Sequence, residues 1–501
     1  MSCGNPTTEG QDALLPRRLR HDKSRTCVKC KETIGKIVVR HAVYCKDCFF
    51  PLMTFKFRRS LEPFVNAKPD GPRRTALKPT GDLLIGYSGG LGSSVLLDLV
   101  HRCYVLPEYD RSTAEGGRDH PRKDRVWRKV NVCYVEVCDA FPGMKDNTES
   151  IRCAVEQYDG VELISLRVQD AFDPNWWNTT DRSIDLTHFG VNLTSEELLL
   201  SSIPAPASPT DALRIYLSSL PTDTARSTAL QTLTRLLLYH TAVRRECSHL
   251  LLGTSLTSLA VSLISSIAQG GGFHVKEEIQ EEWTPNLDIA NTTQNEDAKP
   301  SRNQRSVRVI RPLRDIGMKE CAVWAWWKGV KVVGRESWEW PGSKLGIGRM
   351  TKDFIVGLEK DYPSTVSTIV RTCGKLAPKG DVAAQCLLCA RPIQQGVQAW
   401  KARISIRSLN ASDTKVTAPL LESLRPHLCY TCHTTLTSRS PRTSQDSPTA
   451  VPLPMWTIAQ SRLWNQSTKA VDADDETELF VERRVNQDEM REVVKEFLLD
   501  D

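Results

Sequence analysis

A chain of 501 residues that is 40% hydrophobic and 25% charged, with 28 Gly and 28 Pro, has the balance of a soluble globular protein interrupted by loops, which sets aside disordered and fibrous classes. At roughly 150 residues per domain it is expected to hold two or three folded units. The net charge of +6 is too mild to identify a nucleic-acid partner, no run approaches the ~20 apolar residues of a membrane span, and residues 1–25 are polar and basic without an apolar signal segment, so secretion and membrane contact are not expected.

Without a signal segment the sixteen cysteines are expected to stay reduced, in a cytoplasmic chain. Eight of them form four C-x-x-C pairs, which points to metal sites. The first two pairs, Cys27/Cys30 and Cys45/Cys48, have close to the spacing of a four-thiolate zinc ribbon. Residues 1–70 have few long apolar runs, so a metal rather than a core is expected to organise this N-terminal module. Four thiolates leave no open coordination position, which favours a structural role over a catalytic one. Free surface thiols or a redox pair are the competing reading.

A new pattern starts after the Pro/Gly/Arg-rich residues 68–80. Residues 82–87 read as a buried strand, 88–92 as a glycine turn, and Val95, Leu96, Leu97, Leu99 and Val100 as a helix face. Residues 107–129 form a polar, basic insertion, followed by a strand at 132–137, a helix at 148–157 and a strand at 161–168. This alternation predicts an α/β fold with a parallel sheet. Residues 170–223 read as a long irregular connection with a short helix near 212–217. Then come a helix at 225–246, a strand at 249–253, and a helix bearing Leu256, Leu259, Ala260, Leu263, Ile264 and Ile267 that ends at Gly270.

Residues 275–305 are polar and read as a flexible insertion, before a strand at 307–310 and helices at 316–329 and 362–371. The domains are therefore drawn as 1–70, 80–372, a Cys-rich metal module at 373–464, and an acidic tail at 465–501. In the third unit Cys386, Cys389, Cys429 and Cys432 are assigned to a second metal site, with Cys373, His427 and His433 nearby as further possible ligands. Cys103, Cys133, Cys138, Cys153 and Cys247 read as core residues. In the tail Met490, Val493, Val494, Phe497 and Leu498 make one apolar helix face, suited to docking on the body or on a partner.

The turn at Ser88, Gly89, Gly90, Leu91, Gly92, Ser93 and Ser94 has the chemistry of an anion cradle, because glycines between a strand and a helix let backbone N–H groups and the helix dipole meet a phosphate. It is not the G-x-x-x-x-G-K-[ST] loop of common NTPases. A tight structural turn is the competing reading. The run resembles the S-G-G-x-D-S loop of the PP-loop ATP pyrophosphatases, with Gly92 where that family has Asp. Leu252-Gly253-Thr254-Ser255 stands in the place of the family's T-G-H-N segment. Arg311-Pro312-Leu313-Arg314 is similar to the R-P-L segment of its tRNA-thiolating branch.

That resemblance implies a PP-loop, adenine nucleotide alpha hydrolase-like domain between a zinc ribbon and a Cys-rich module. ATP or AMP would be the nucleotide for Ser88, Gly89, Gly90, Gly92, Ser93 and Ser94. The departures matter as much as the matches. The loop Asp is missing, Ser337 stands near where active thiolases have Cys, and residues 225–246 lack the C-x-x-C pair that precedes the T-G-H-N strand in them. Together these imply a degenerate subunit that pairs with an active tRNA thiolase subunit in 2-thiolation of the wobble uridine of tRNA Lys, Glu and Gln. The sulfur comes from a thiocarboxylated ubiquitin-related modifier whose attachment to proteins the family also supports. On this reading Arg122, Lys123, Arg125, Arg128 and Lys129 contact RNA phosphate and Trp127 stacks on a base; a solvated face with a buried Trp is the competing reading. Two other functions stay open: an active ATP-dependent tRNA sulfurtransferase, and a zinc scaffold for modifier transfer without an RNA role.

Overall fold

The structure, a computed structural model, describes residues 26–65 except His41, 81–105, 126–178 except Pro142, 189–193, 198–220 except Ala205, 222–279, 282–283, 307–334, 346–376, 382–397 except Gln395, 423–437, 450–459 and Lys495. The chain starts with a hairpin, β1 (Ile37–Val39) and β2 (Ala42–Tyr44), that leads into the helix α1 (Lys46–Val65). Helix α1 buries Phe49, Met53, Phe57 and Leu61, four residues apart and so on one face, in a core shared with Leu83, Ile85, Leu96, Leu97 and Trp324 of the body. The N-terminal module was expected to be organised by metal instead of a core; its helix is in fact part of the main core. Its core-facing residues recur every four positions, but Pro51 and Pro63 inside the segment obscure the helix in the sequence.

The body begins with β3 (Asp82–Gly86), α2 (Leu91–Val100), β4 (Val130–Glu136), α3 (Thr148–Val155) and β5 (Val161–Arg167). It continues through α4 (Pro174–Asn178), β6 (Phe189–Val191), β7 (Leu200–Ser202), α5 (Pro209–Ser219) and α6 (Asp223–Arg244) to β8 (Cys247–Leu252) and α7 (Leu256–Ala268). Next come α8 (Val275–Ile279), β9 (Glu282–Trp283), β10 (Arg308–Ile310), α9 (Met318–Lys328), α10 (Ile347–Asp361) and α11 (Pro363–Lys375). The last described elements are β11 (Val382–Gln385), β12 (Pro392–Gln394), α12 (Tyr430–Thr437) and β13 (Val451–Pro452).

Six strands make the central sheet in the order β5-β4-β3-β8-β10-β9, parallel throughout except for β9. The parallel α/β fold expected from the alternation is therefore what forms. From β3 the chain moves outward to β4 and β5, then returns to the other side of β3 to lay down β8 and β10. The crevice past the C-terminal ends of β3 and β8 is thus the switch point, where sheets of this class bind ligands.

Three segments differ from the sequence expectation. The connection at 170–223 is not wholly irregular: β6, β7 and the distant β13 form a three-stranded sheet. The insertion expected at 275–305 starts later, since residues 275–279 are helical and only 282–283 of the remainder are described. The cysteine-rich segment shares the body's core, with Leu387, Leu388, Leu428 and Trp456 in one cluster with Leu230, Leu233 and Trp177. Residues 490–498, where a docking helix was expected, lie outside the described residues apart from Lys495.

Candidate phosphate loop and metal centres

The glycine turn sits where β3 feeds α2, and its own hydroxyls hold it. Ser93 Oγ donates to Gly90 O at 2.9 Å, Ser88 N donates to Ser93 Oγ at 3.3 Å, and the Tyr87 and Ser94 hydroxyls meet at 3.1 Å. Gly89 has φ +71°, the left-handed region that favours glycine, and a Cβ there would also press on the end of the Ile151 side chain. Below the loop, the buried Asp98 accepts from Trp324 Nε1 at 2.8 Å and from Arg102, which fixes α2 against α9.

Gly92 explains the missing carboxylate in physical terms. A Cβ on Gly92 would collide with the carbonyl oxygen of Gly253, and a Cβ on Gly253 would lie 2.6 Å from the backbone of Gly92 and Ser93. The two chain segments touch backbone to backbone, so neither position has room for any side chain. Gly253 belongs to the segment that stands in the place of T-G-H-N, which ties the two glycines into one feature. A cavity of about 460 Å³ opens beside them, lined by Ser88, Gly90, Ser93, Thr254, Ser255 and, from α10, Lys352. Among the described residues lining it Lys352 is the cation and none is acidic. Lys352 was missed in the sequence although Ile347, Met350, Phe354, Ile355 and Leu358 around it recur at helical spacing, the signal that could have found α10.

Arg311 does not reach this cavity. It is buried with an Nη2–Oε2 distance of 3.9 Å to Glu278, and burial, then the neighbouring Arg235 and Arg314, lower it to about 10. Ser337 lies outside the described residues. The RNA contacts expected at 122–129 divide. Arg122, Lys123 and Arg125 lie outside the described residues, and Arg128 and Lys129 are exposed. Trp127, however, is buried: its Nε1 donates to His249 Nδ1 at 3.1 Å and its ring packs edge-on to Tyr104. It is a core residue that cannot stack on a base, and its basic neighbours misled the reading.

Each set of four paired cysteines is brought together. In both, the ligand atoms lie within 4.8 Å of one another. The first pair of each set occupies the same turn: Lys31 N donates to Cys27 O at 2.8 Å with Lys31 at φ +59°, and Ala390 N donates to Cys386 O at 2.7 Å with Ala390 at φ +54°. The second pair of each set stands at the start of a helix, with Cys48 N donating to Cys45 Sγ at 3.4 Å and Cys432 N to Cys429 Sγ at 3.5 Å. Across the pairs, the sulfurs of Cys30 and Cys45 are 3.9 Å apart and those of Cys389 and Cys429 3.7 Å, far from a disulfide. They match the edge of about 3.8 Å that a tetrahedron with metal–sulfur bonds of ~2.3 Å requires. Both sets therefore fit a metal ion.

Their surroundings differ. At the first set the Thr33 hydroxyl, 3.1 Å from Cys30 Sγ, holds the Cys30 thiol down to about 6. At the second, all four cysteines are buried, Arg235 Nη2 donates to Cys389 O at 2.5 Å, and Arg391 pairs with Glu278. Burial, followed by Arg235, lowers Arg391 to about 9. Four thiolates around a divalent ion carry net negative charge, which suits these buried cations.

Cys373 packs instead with Leu256, Leu263 and Val370. His433 is buried with Nδ1 3.4 Å from Thr437 Oγ1, and neither it nor His427 joins the sulfur cluster. Cys133 and Cys247 are core residues as expected, whereas Cys138 is half-buried and Cys153 is exposed on α3. A third group, Glu136, Cys138 and Asp146, has a structural cause: Glu136 accepts from the N–H groups of Val137, Cys138 and Asn147 and from the Tyr134 hydroxyl.

The family profile described as cytoplasmic tRNA 2-thiolation protein 2 matches residues 346–434, a span that includes all four ligands of the second cluster. Along most of its length the chain resembles that family. It is 27% identical to cytoplasmic tRNA 2-thiolation protein 2 of Bos taurus over 392 residues, covering 72% of this chain and 71% of the relative. To the Homo sapiens protein of the same name it is 25% identical over 537 aligned positions, covering 92% and 94%. Among solved structures, the U34-tRNA thiolase NcsA from Methanococcus maripaludis aligns with a TM-score of 0.44 at 18% identity, covering 76% of this chain and 97% of that one. No helix among the described residues is long and apolar enough to cross a membrane.

Proposed function

We propose that this chain is the non-catalytic, tRNA-binding subunit of a cytoplasmic tRNA 2-thiolation complex. Its partner is an active thiolase subunit that adenylates the wobble uridine and transfers the sulfur. The substrates are tRNA Lys, Glu and Gln, and the sulfur is delivered by a thiocarboxylated ubiquitin-related modifier, whose attachment to proteins the complex also serves. The observation that carries the non-catalytic part is the Gly92–Gly253 contact, which leaves no space for a carboxylate where phosphate chemistry needs one. The retained loop, with Ser88, Ser93 and Lys352 at the cavity, then acts as an anion cradle for a phosphate or nucleotide. Zinc is the metal proposed for Cys27, Cys30, Cys45 and Cys48 and for Cys386, Cys389, Cys429 and Cys432. It would supply cross-links that order the segments bearing it, and no chemistry.

Pyrophosphate release separates this reading from an active sulfurtransferase. The purified chain should release none above background with ATP and tRNA, and the complex with its thiolase partner should. Gly92→Asp should not create turnover in the isolated chain and should lower its melting temperature, because the new side chain meets the Gly253 backbone. Robust turnover by the isolated wild-type chain would overturn the proposal. Absence of salt-dependent tRNA binding, alone and in the complex, would favour the scaffold for modifier transfer.

A further inference from the structure

Trp326 is 77% exposed, whereas Trp127, Trp176, Trp177, Trp324 and Trp456 are all buried. It stands in the last turn of α9 and is not loosely held. Its ring stacks on Trp327 at 6.3 Å and 28°, and Trp327 in turn packs edge-on to Phe49 and Phe50 of α1. The indole is thus an open face on a rigid support. Lysines flank it in the chain: Lys328, whose Nζ lies 4.1 Å over the Phe50 ring, and Lys331, exposed three residues further on, while Lys46 stands one turn before Phe50 on α1.

Two further observations say what this face meets. Residues 26–65, which carry the first cysteine cluster and α1, contain eight Lys or Arg against three Asp or Glu, so that segment, which packs on Trp327 through Phe49 and Phe50, is positive even with the charge of a loaded cluster included. The segment that leaves Trp326 also runs to the phosphate loop, where Gly334 N donates to Gly89 O at 3.1 Å. An exposed ring, flanking lysines and a backbone anion cradle joined by eight residues of chain are the parts that hold an unpaired base and the phosphates next to it.

We propose that Trp326 is the base-stacking platform for a single-stranded stretch of RNA, with Lys328 and Lys331 on its phosphates and the phosphate loop at the far end of the path. This rests on the tRNA-binding reading above and adds the place of contact, which moves from the buried Trp127 to Trp326.

The test uses the full-length chain, alone and in complex with its thiolase partner, titrated with fluorescently labelled tRNA Lys. Trp326→Ala should weaken binding about tenfold and leave the salt slope unchanged, since stacking carries no charge. Trp326→Phe should restore most of the affinity, and Lys331→Ala should reduce the salt slope by about one. Trp326 is exposed, so its replacement should leave the melting temperature in place. Equal tRNA affinity of wild type and Trp326→Ala, with the wild type binding, overturns this proposal alone. No binding by the wild type, in the complex as well, overturns the tRNA reading with it. Loss of the thiolase partner by Trp326→Ala at unchanged tRNA affinity also overturns it and makes the face a protein interface.

Discussion

The two cysteine clusters share one local design and sit in opposite environments. Each uses a knuckle whose next residue is left-handed and a second pair at a helix start with an N–H directed at sulfur. Yet Cys30 and Cys48 of the first are only half-buried, beside a short hairpin, while all four cysteines of the second are inside the core that also holds α6 and Trp456. The second cluster is further enclosed by backbone contacts: Trp456 Nε1 and Thr457 Oγ1 donate to Leu388 O and Leu387 O. The spacing of a metal motif thus defines its turn but not its role. What the ligands pack against decides whether the metal orders one edge or the whole body.

The largest effect should come from breaking the second cluster. Cys429→Ser removes a ligand whose site is closed by the core on every side, and it leaves Arg235 and Arg391 without the thiolate charge beside them. Structural zinc contributes on the order of 10 kcal/mol in small domains, comparable to the ~5–15 kcal/mol that holds a whole domain together. The variant should lose one metal equivalent by native mass spectrometry together with the near-ultraviolet circular dichroism of the body. A variant that keeps the body's spectrum would make this cluster an appendage, and the contrast with the first would collapse.

An intermediate effect separates the clusters from the sheet between them. His249 on β8 is buried and its Nδ1 accepts from Trp127, and burial lowers it from 6.5 to about 4. Because the folded value lies below the unfolded one, its contribution is fully present above pH ~6.5 and is lost as pH falls towards ~4, by an amount of about 3 kcal/mol. Acid also protonates the cysteines, and burial lowers His274 to about 4 as well, but both effects are common to wild type and His249→Gln. The difference between their urea-unfolding profiles should therefore narrow as pH falls through this window. A constant difference would place the acid sensitivity in the clusters instead.

What could be read from the sequence was what is local. The β3 strand, its glycine turn and α2 follow one another directly, so the phosphate loop was legible, and the C-x-x-C spacing brought out both metal sets. The missing parts depend on distant partners. Helix α1 hid because Phe49, Met53, Phe57 and Leu61 acquire a core only when the body supplies it. Gly92 read as a lost carboxylate, but the reason it must be glycine lies 161 positions away at Gly253. Trp127 and Trp326 are the sharpest case: both are tryptophans with basic neighbours, and only packing tells that the first is core and the second is open.

The smallest effect on the body should follow from Cys30→Ser, in the half-exposed cluster. One metal equivalent should again be lost, and amides in 26–45 should exchange faster. Helix α1 has its own hold on the body, through the four buried residues of its apolar face and the 2.6 Å ion pair between Lys56 and Glu320. The melting temperature should therefore move by only a few degrees, the size expected for about 1 kcal/mol, and strands β3, β4 and β8 should keep their protection in hydrogen exchange. If those strands lose protection along with the ribbon, the first metal also holds the core, and burial of the ligands is not what divides the two clusters.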